Sequence, residues 1–231
     1  MNNKTVFGVL ATAFALSYGP SVSAELLASA ASKAEEETFE VGASFVNSTV
    51  TLKGSDSNID NTDVDRQMIP VYAAYGLNDM LDAYAGVAMI LKSEAEDVNG
   101  DGDGLAWGGG IRGNLPFGDE FTLRGYAQFL YISEEYDDGL EGNGWFLDVG
   151  ALAMYEASDD LNIYGGLELA PTENFELKTS GQYSGGPFDL ERDDLLTIRL
   201  GAKFNMDTFF LRGEAAFAGE QSFTIGVGMP L

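Results

Sequence analysis

The sequence predicts an all-β chain: a closed antiparallel up-and-down transmembrane β-barrel of about ten strands. Three observations predict it. From Thr38 onward, apolar residues recur with period two in segment after segment. The connections between those segments alternate between tight turns and longer polar loops, which gives a barrel one short rim and one long rim. After the leader there is no run of eighteen apolar residues, so helical membrane spans are excluded.

The elements follow in chain order. Residues 1–24 have the build of a signal peptide: Lys4 supplies a positive start, Val6 to Leu16 is apolar, Gly19-Pro20 breaks the chain, and Val22-Ser23-Ala24 offers small residues for cleavage. The apolar stretch is too short to anchor the chain as a helix. A second small-residue site, Ala28-Ser29-Ala30, lies farther from that stretch. Residues 25–37 run Glu25-Leu26-Leu27, then alanine, serine and lysine, then Glu35-Glu36-Glu37. This segment is expected to be an N-terminal periplasmic tail, the alternative being a plug helix that enters the barrel.

Residues 38–231 form the barrel. The first strand, near 38–52, sets Phe39, Val41, Ala43 and Phe45 against Glu40, Gly42 and Ser44. Further strands are expected near 67–77, 81–92, 104–115, 120–132, 144–157, 161–170, 194–205, 208–218 and 221–231. The fifth alternates Phe121, Leu123, Gly125, Ala127, Phe129 and Tyr131 with Thr122, Arg124, Tyr126 and Gln128. The last alternates Phe223, Ile225, Val227, Met229 and Leu231 with polar residues and glycine. Tight turns sit at Asn78-Asp79-Met80, Pro116 to Asp119, Ser158-Asp159-Asp160 and Asn205-Met206-Asp207. Longer loops run from Gly54 to Arg66, Ser93 to Asp103, Ser133 to Asn143 and Pro171 to Asp193, and a short one surrounds Gly219. Both chain ends fall on the tight-turn rim, which requires an even strand count.

Period two does not say which face is wet. Mixed charge on the polar face argues that it points into a lumen. Glu40, Asp82, Asp148, Glu156, Glu168 and Glu214 share that face with Arg112, Arg124, Arg199, Lys203 and Arg212. Six acids against five bases is nearly neutral, in a chain whose net charge is −25. Enclosed charges must pair, because an unpaired one is costly in low dielectric. Aromatics such as Phe39, Tyr75, Trp107, Phe121, Tyr131, Trp145, Tyr155 and Phe209 gather near the ends of the apolar rows, as interfacial girdles do. Glycines such as Gly42, Gly86, Gly110, Gly150, Gly201 and Gly226 leave room on the inner face for tyrosines such as Tyr84, Tyr126 and Tyr164.

The hairpin Tyr75-Gly76-Leu77-Asn78-Asp79, followed by Leu81-Asp82-Ala83-Tyr84-Ala85-Gly86-Val87, resembles that of the porin-family outer-membrane barrels of Gram-negative bacteria, including the OmpX-like and OmpA-transmembrane-like groups. The closing Gly226-Val227-Gly228-Met229-Pro230-Leu231 is similar to their C-terminal assembly strand, although those usually end in phenylalanine. The resemblance covers about residues 38–231. It implies an outer-membrane location, contact with lipid and lipopolysaccharide, and insertion by the barrel-assembly machinery.

The chain contains neither histidine nor cysteine. Without cysteine there is no disulfide framework and no lipoprotein anchor. Histidine is the usual base in nucleophilic catalysis. The barrel enzymes of the outer membrane (omptin proteases, the phospholipase, the lipid A palmitoyltransferase and deacylase) place one in the site. No enzyme is therefore expected. A strongly acidic chain also repels nucleic acid phosphates.

No cofactor is expected beyond weakly held Ca²⁺ or Mg²⁺ at acidic loops. Asp97, Asn99, Asp101 and Asp103 are spaced like the start of a calcium loop, but Gly108 stands where a bidentate glutamate is needed. A solvated acidic loop is the alternative. Further acids at Asp56, Asp60, Asp63, Asp65, Glu134, Glu135, Asp137, Asp138, Asp189, Glu191, Asp193 and Asp194 give an acidic outer rim. The apolar row shows no polar patch, so a monomer is expected. The leading functional reading is a structural or surface-interaction barrel with a charge-paired lumen. A narrow porin-like channel, with Arg112, Arg124, Arg199 and Arg212 setting selectivity, is the alternative, and a soluble exported barrel holding an apolar ligand is a third.

Overall fold

The computed structural model describes residues 27–54, 62–95, 101–118, 120–137, 139–179, 188–192, 195–218 and 221–231. The expected signal peptide lies outside them. Among these residues, eleven strands form a single antiparallel sheet: β1 (Phe39–Gly54), β2 (Thr62–Gly76), β3 (Leu81–Ala95), β4 (Gly102–Phe117), β5 (Phe121–Tyr136), β6 (Leu140–Ser158), β7 (Leu161–Thr179), β8 (Phe188–Arg192), β9 (Leu196–Asn205), β10 (Phe210–Phe217) and β11 (Gln221–Pro230). β1 pairs with β11 from Glu40↔Pro230 to Thr49↔Gln221, and this closes the barrel. Closure leaves no unpaired sheet edge.

β8 and β9 meet β7 in one continuous register, with Phe175↔Leu190 above and Leu161↔Phe204 below. They are two segments of one stave, so the eleven strands make ten staves. The short β10–β11 hairpin does not reach the height of β8. There β8 pairs on its other edge with β1, from Leu52↔Arg192 to Gly54↔Leu190. The barrel therefore narrows from ten staves to eight above the hairpin. Strands on this side run farther than periodicity suggested: β2 begins at Thr62, β5 continues to Tyr136, β6 begins at Leu140 and β7 continues to Thr179.

The extra length was illegible because the polarity of the faces inverts along the staves. On β2 the outward residues are Asp63, Asp65 and Gln67, then Ile69, Val71, Ala73 and Tyr75. On β5 they are Phe121 to Phe129 and Tyr131, then Ser133 and Glu135. From Phe121 to Tyr131 a tilted strand climbs about 25 Å, the height of a membrane barrel's apolar band. Exposed Val87, Met89, Trp107, Ile111, Leu167, Leu200 and Val227 belong to the same band. Inside, the order is reversed. Ionic side chains fill the lower lumen, whereas Val46, Val50, Leu52, Val64, Met68, Ile90, Leu130, Ile132, Phe146 and Phe175 form an apolar core above.

Local irregularities shift the alternation. An extra residue on β3 near Leu91, opposite Gln67/Met68, turns Ser93 and Ala95 inward where even-numbered residues had faced before. The β1–β2 ladder lapses at Ser44 and Phe45, opposite Ile69-Pro70, since proline has no N–H to donate. At the lower rim, Gly118 takes φ 77° in the β4–β5 turn, a conformation glycine adopts without a Cβ clash.

Residues 27–34 correct the sequence reading. They were expected to be a tail outside the barrel, yet Leu27, Ala28, Ser29, Ala30, Ala31, Ser32 and Ala34 are buried within it. The segment is an irregular strap and not a helix. It crosses the rim beside Gly76, where Glu37 N–H donates to the Gly76 carbonyl at 2.9 Å. Small side chains let the backbone thread a lumen already lined by tyrosines: Ala30 and Ala31 pack against Tyr126, Leu152, Met154 and Tyr164.

Candidate functional site: the barrel lumen

Inward positions on neighbouring staves bring the lumen charges together at the level of the strap. On β3 and β4, Asp82 and Arg112 are cross-strand partners. Arg112 Nη2 donates to Asp82 Oδ2 at 2.5 Å and Nε donates to Oδ1 at 3.0 Å. Its Nη2 also reaches Glu40 on β1 at 3.3 Å. The guanidinium lies between the rings of Tyr72 and Tyr84, 5.7 and 5.2 Å from their centroids. Flat, delocalised charge suits that slot better than an ammonium would.

The strap enters this network through its backbone. Arg112 Nη1 donates to the Ser29 carbonyl at 2.6 Å, Ala34 N–H donates to Asp82 Oδ2 at 2.8 Å, and Leu27 N–H donates to Gln128 Oε1 at 2.9 Å. Ser32 Oγ donates to Glu40 Oε1 at 2.8 Å. A buried peptide must satisfy its polar groups, and here lumen side chains do what a sheet ladder would otherwise do.

A second cluster spans β7, β9 and β10. Arg199 donates to both oxygens of Glu168 at 2.9 Å and to Glu214 at 2.7 Å. The Tyr126 hydroxyl bonds Glu168, and the Tyr164 hydroxyl donates to Glu214 at 2.9 Å. Arg212 donates to Ser44 at 2.9 Å and stands 4.0 Å from Glu214. Asp148 accepts from Gln128 at 3.4 Å. These tyrosines fit because a glycine faces each ring. A Cβ on Gly42, Gly110, Gly150 or Gly201 would overlap Tyr72, Tyr84, Tyr126 or Tyr164 respectively.

Seven of the eleven sequence-predicted lumen residues meet in these ion pairs, Asp148 is held by Gln128, and Glu156, Lys203 and Arg124 stand apart. Glu156 is exposed at the lower mouth. Lys203 is held over the Phe210 ring at 4.3 Å, without a carboxylate partner among the described residues. Arg124 faces inward with Nε and Nη1 shut from solvent and no acceptor for either. The expectation that all lumen charges pair is corrected here: Glu40, Asp82, Glu168 and Glu214 are spent on Arg112, Arg199 and Arg212.

One ion pair escaped sequence reading. Arg66 Nε donates to Glu134 at 2.6 Å, and Nη2 donates to its other oxygen at 3.0 Å, both side chains buried. Tyr136 supports it, its hydroxyl 3.2 Å from Glu134, and burial pushes that phenol's pKa up. Both charges had been assigned to polar loops. The parity of Gln128, Leu130, Ile132 and Glu134 was the available signal, hidden because the strand's outer row had already turned polar.

The calcium candidate is split. Asp97 and Asn99 lie outside the described residues, Asp101 stands 3.9 Å from Lys92, and Asp103 is exposed on β4. Among the described residues no cluster of acids could hold a metal ion. Nearby on the outer face, the Lys92 ammonium lies 2.8 Å from Glu94. Their hydrogen bond lowers the carboxyl's pKa and raises the ammonium's.

No protein-family model and no curated protein matches the chain. Solved structures do. The outer-membrane protease OmpT from Escherichia coli is 9% identical, with 88% of this chain and 100% of that chain covered and a TM-score of 0.53. An outer-membrane channel from Pseudomonas putida F1 is 8% identical, with 85% and 96% covered and a TM-score of 0.50. The translocator domain of the autotransporter NalP from Neisseria meningitidis is 17% identical, with 83% and 88% covered and a TM-score of 0.46. A protease and a channel sharing one scaffold carry no activity over to this chain. What they share with it is the fold: the chain is a small β-barrel of the outer-membrane type, closed by ten staves.

Proposed function

We propose that the protein is a sealed barrel of the outer membrane with a structural or surface-interaction role. The exposed apolar band and the fold of known outer-membrane barrels support that location. Short periplasmic turns and longer outer connections orient it, with the eight-stave section outside. One observation carries the reading. Among the described residues, the strap, the two arginine-centred networks and the apolar core above them are buried inside the barrel. An eight-stranded barrel is just wide enough for its side chains to fill.

The experiment is a planar-bilayer recording of the refolded mature chain. No discrete conductance steps are expected. Ion-selective steps would establish the passive channel instead. A mature chain that folds compactly without detergent would establish the soluble ligand-binding barrel.

The surface offered outward is acidic. Asp63, Asp65, Glu94, Asp103 and Glu135 are exposed above the apolar band. Divalent cations bridging such a face to lipopolysaccharide phosphates would couple the barrel to its own leaflet. Chelation with EDTA in lipopolysaccharide-containing bilayers is then expected to speed proteolysis of the outer loops. Equal cleavage with and without EDTA would remove this partner from the reading.

A further inference from the structure

We propose that the lower lumen is a binding site for an extended peptide, that residues 27–34 are its tethered occupant, and that a free periplasmic peptide of the same chemistry can take their place. The wall closes without the strap. β1 joins β11 from Glu40 onward, and among the described residues no backbone–backbone hydrogen bond ties residues 27–34 to a stave. What holds them is a set of side chains that read a peptide. Gln128 Oε1 accepts from the Leu27 N–H at 2.9 Å, and Asp82 Oδ2 accepts from the Ala34 N–H at 2.8 Å. Arg112 Nη1 donates to the Ser29 carbonyl at 2.6 Å and to Ser32 Oγ at 3.0 Å. Glu40 Oε1 accepts from the same hydroxyl at 2.8 Å. The site therefore matches an N–H, a carbonyl two residues on, a hydroxyl five on and a second N–H seven on. Between them, Ala30 and Ala31 pack against Tyr126, Leu152, Met154 and Tyr164, where small side chains fit.

The site keeps its shape independently of the peptide. Arg112 is fixed through Nε and Nη2 by Asp82 and lies between the rings of Tyr72 and Tyr84, which leaves Nη1 for the strap. A receptor already in its bound shape loses little order on binding. The tether is fastened at the lower rim. There Glu37 has φ 58°, a left-handed conformation uncommon outside glycine. The chain crosses β2 at Gly76, where any Cβ would overlap the Glu35 carbonyl. The segment on the lumen side of this crossing can withdraw as one piece while Glu37 and Thr38 stay bonded to Gly76. A short tether keeps its ligand at an effective concentration on the order of millimolar. A free peptide thus competes in excess, or once the strap is unseated. Entry from the periplasm rests on the sealed-barrel reading; the binding itself does not.

The test uses the full mature chain refolded in detergent and a labelled peptide, Leu-Ala-Ser-Ala-Ala-Ser-Lys-Ala, the sequence of residues 27–34. Lys33 is the one trypsin site between Lys4 and Lys53, so a cut there reports a withdrawn strap. The unmutated chain is expected to resist that cut. Excess peptide with Lys33→Ala, which trypsin leaves whole, is expected to speed it several-fold by occupying the vacated lumen. Gly76→Val is expected to unseat the strap, expose Lys33 and let the labelled peptide bind. Ala31→Leu in the chain should do the same without touching a stave, so a folding defect in the first variant does not remove the test. In either variant, methylating the peptide nitrogen at Ala34 should weaken binding about tenfold, as loss of a hydrogen bond to a charged group does. Ala31→Leu in the peptide should abolish binding. Equal affinity for all these peptides would show adsorption and overturn the site. A strap uncut in both variants, an unseated lumen that binds no peptide, or no faster cutting of the unmutated chain would overturn the proposal too. Conductance is not read, so a channel recording that removed the sealed reading would leave this result standing.

Discussion

Arg199 is buried between two carboxylates, themselves buried, so its removal strands both Glu168 and Glu214. Arg199→Met is expected to cost about 3–5 kcal/mol in urea unfolding, the penalty of breaking a buried pair from one side. Gly150 makes a steric argument of the same kind. A side chain there meets the Tyr126 ring, whose hydroxyl serves Glu168. Gly150→Val should therefore lower stability by about 1–3 kcal/mol through overpacking, and Tyr126→Ala in the same chain should recover part of the loss. A double-mutant cycle measures the coupling, and strictly additive losses would show that the two do not touch. At this scale the sequence was legible wherever composition was unusual. Glycine facing tyrosine and arginine among carboxylates both stand out on an inner row. Which arginine lacks a partner did not stand out, since pairing depends on side-chain reach between staves far apart in the chain.

Among the elements, the strap separates the sealed reading from the channel reading. It lies inside because its alanines and serines are small and because Asp82, Gln128 and Arg112 complete its backbone hydrogen bonds. Deleting residues 25–34 while keeping the leader is expected to leave a folded, heat-modifiable barrel that gives conductance steps absent from the intact chain. A deleted barrel that remains closed would place the seal in the upper core. β8 is the other decisive element. Sequence reading put it within a long loop, because five residues carry too little pattern to declare a strand. Its pairing with β1 exists only because the β10–β11 hairpin stops short.

For the whole molecule, one polarity rule holds in two environments. Where the wall meets lipid, apolar residues face out and ions pair within. Where it rises into water, the outer face turns acidic and the interior becomes apolar, as in a soluble barrel. The folded barrel is thus expected to need detergent or lipid, and to migrate faster on SDS gels before boiling than after it. Identical migration in both states would contradict a closed hydrogen-bonded wall.

The sequence by itself determined the barrel, its stave number and the inner row of its lower half. Period two, tight turns and glycine placement are local properties that a single chain displays without help from distant neighbours. Only the tertiary structure decided the strap's place in the lumen, the narrowing to eight staves, the pair of Arg66 with Glu134 and the isolation of Arg124. Each of these depends on which staves become neighbours, and on how many oxygens their side chains leave for one another once the wall has closed.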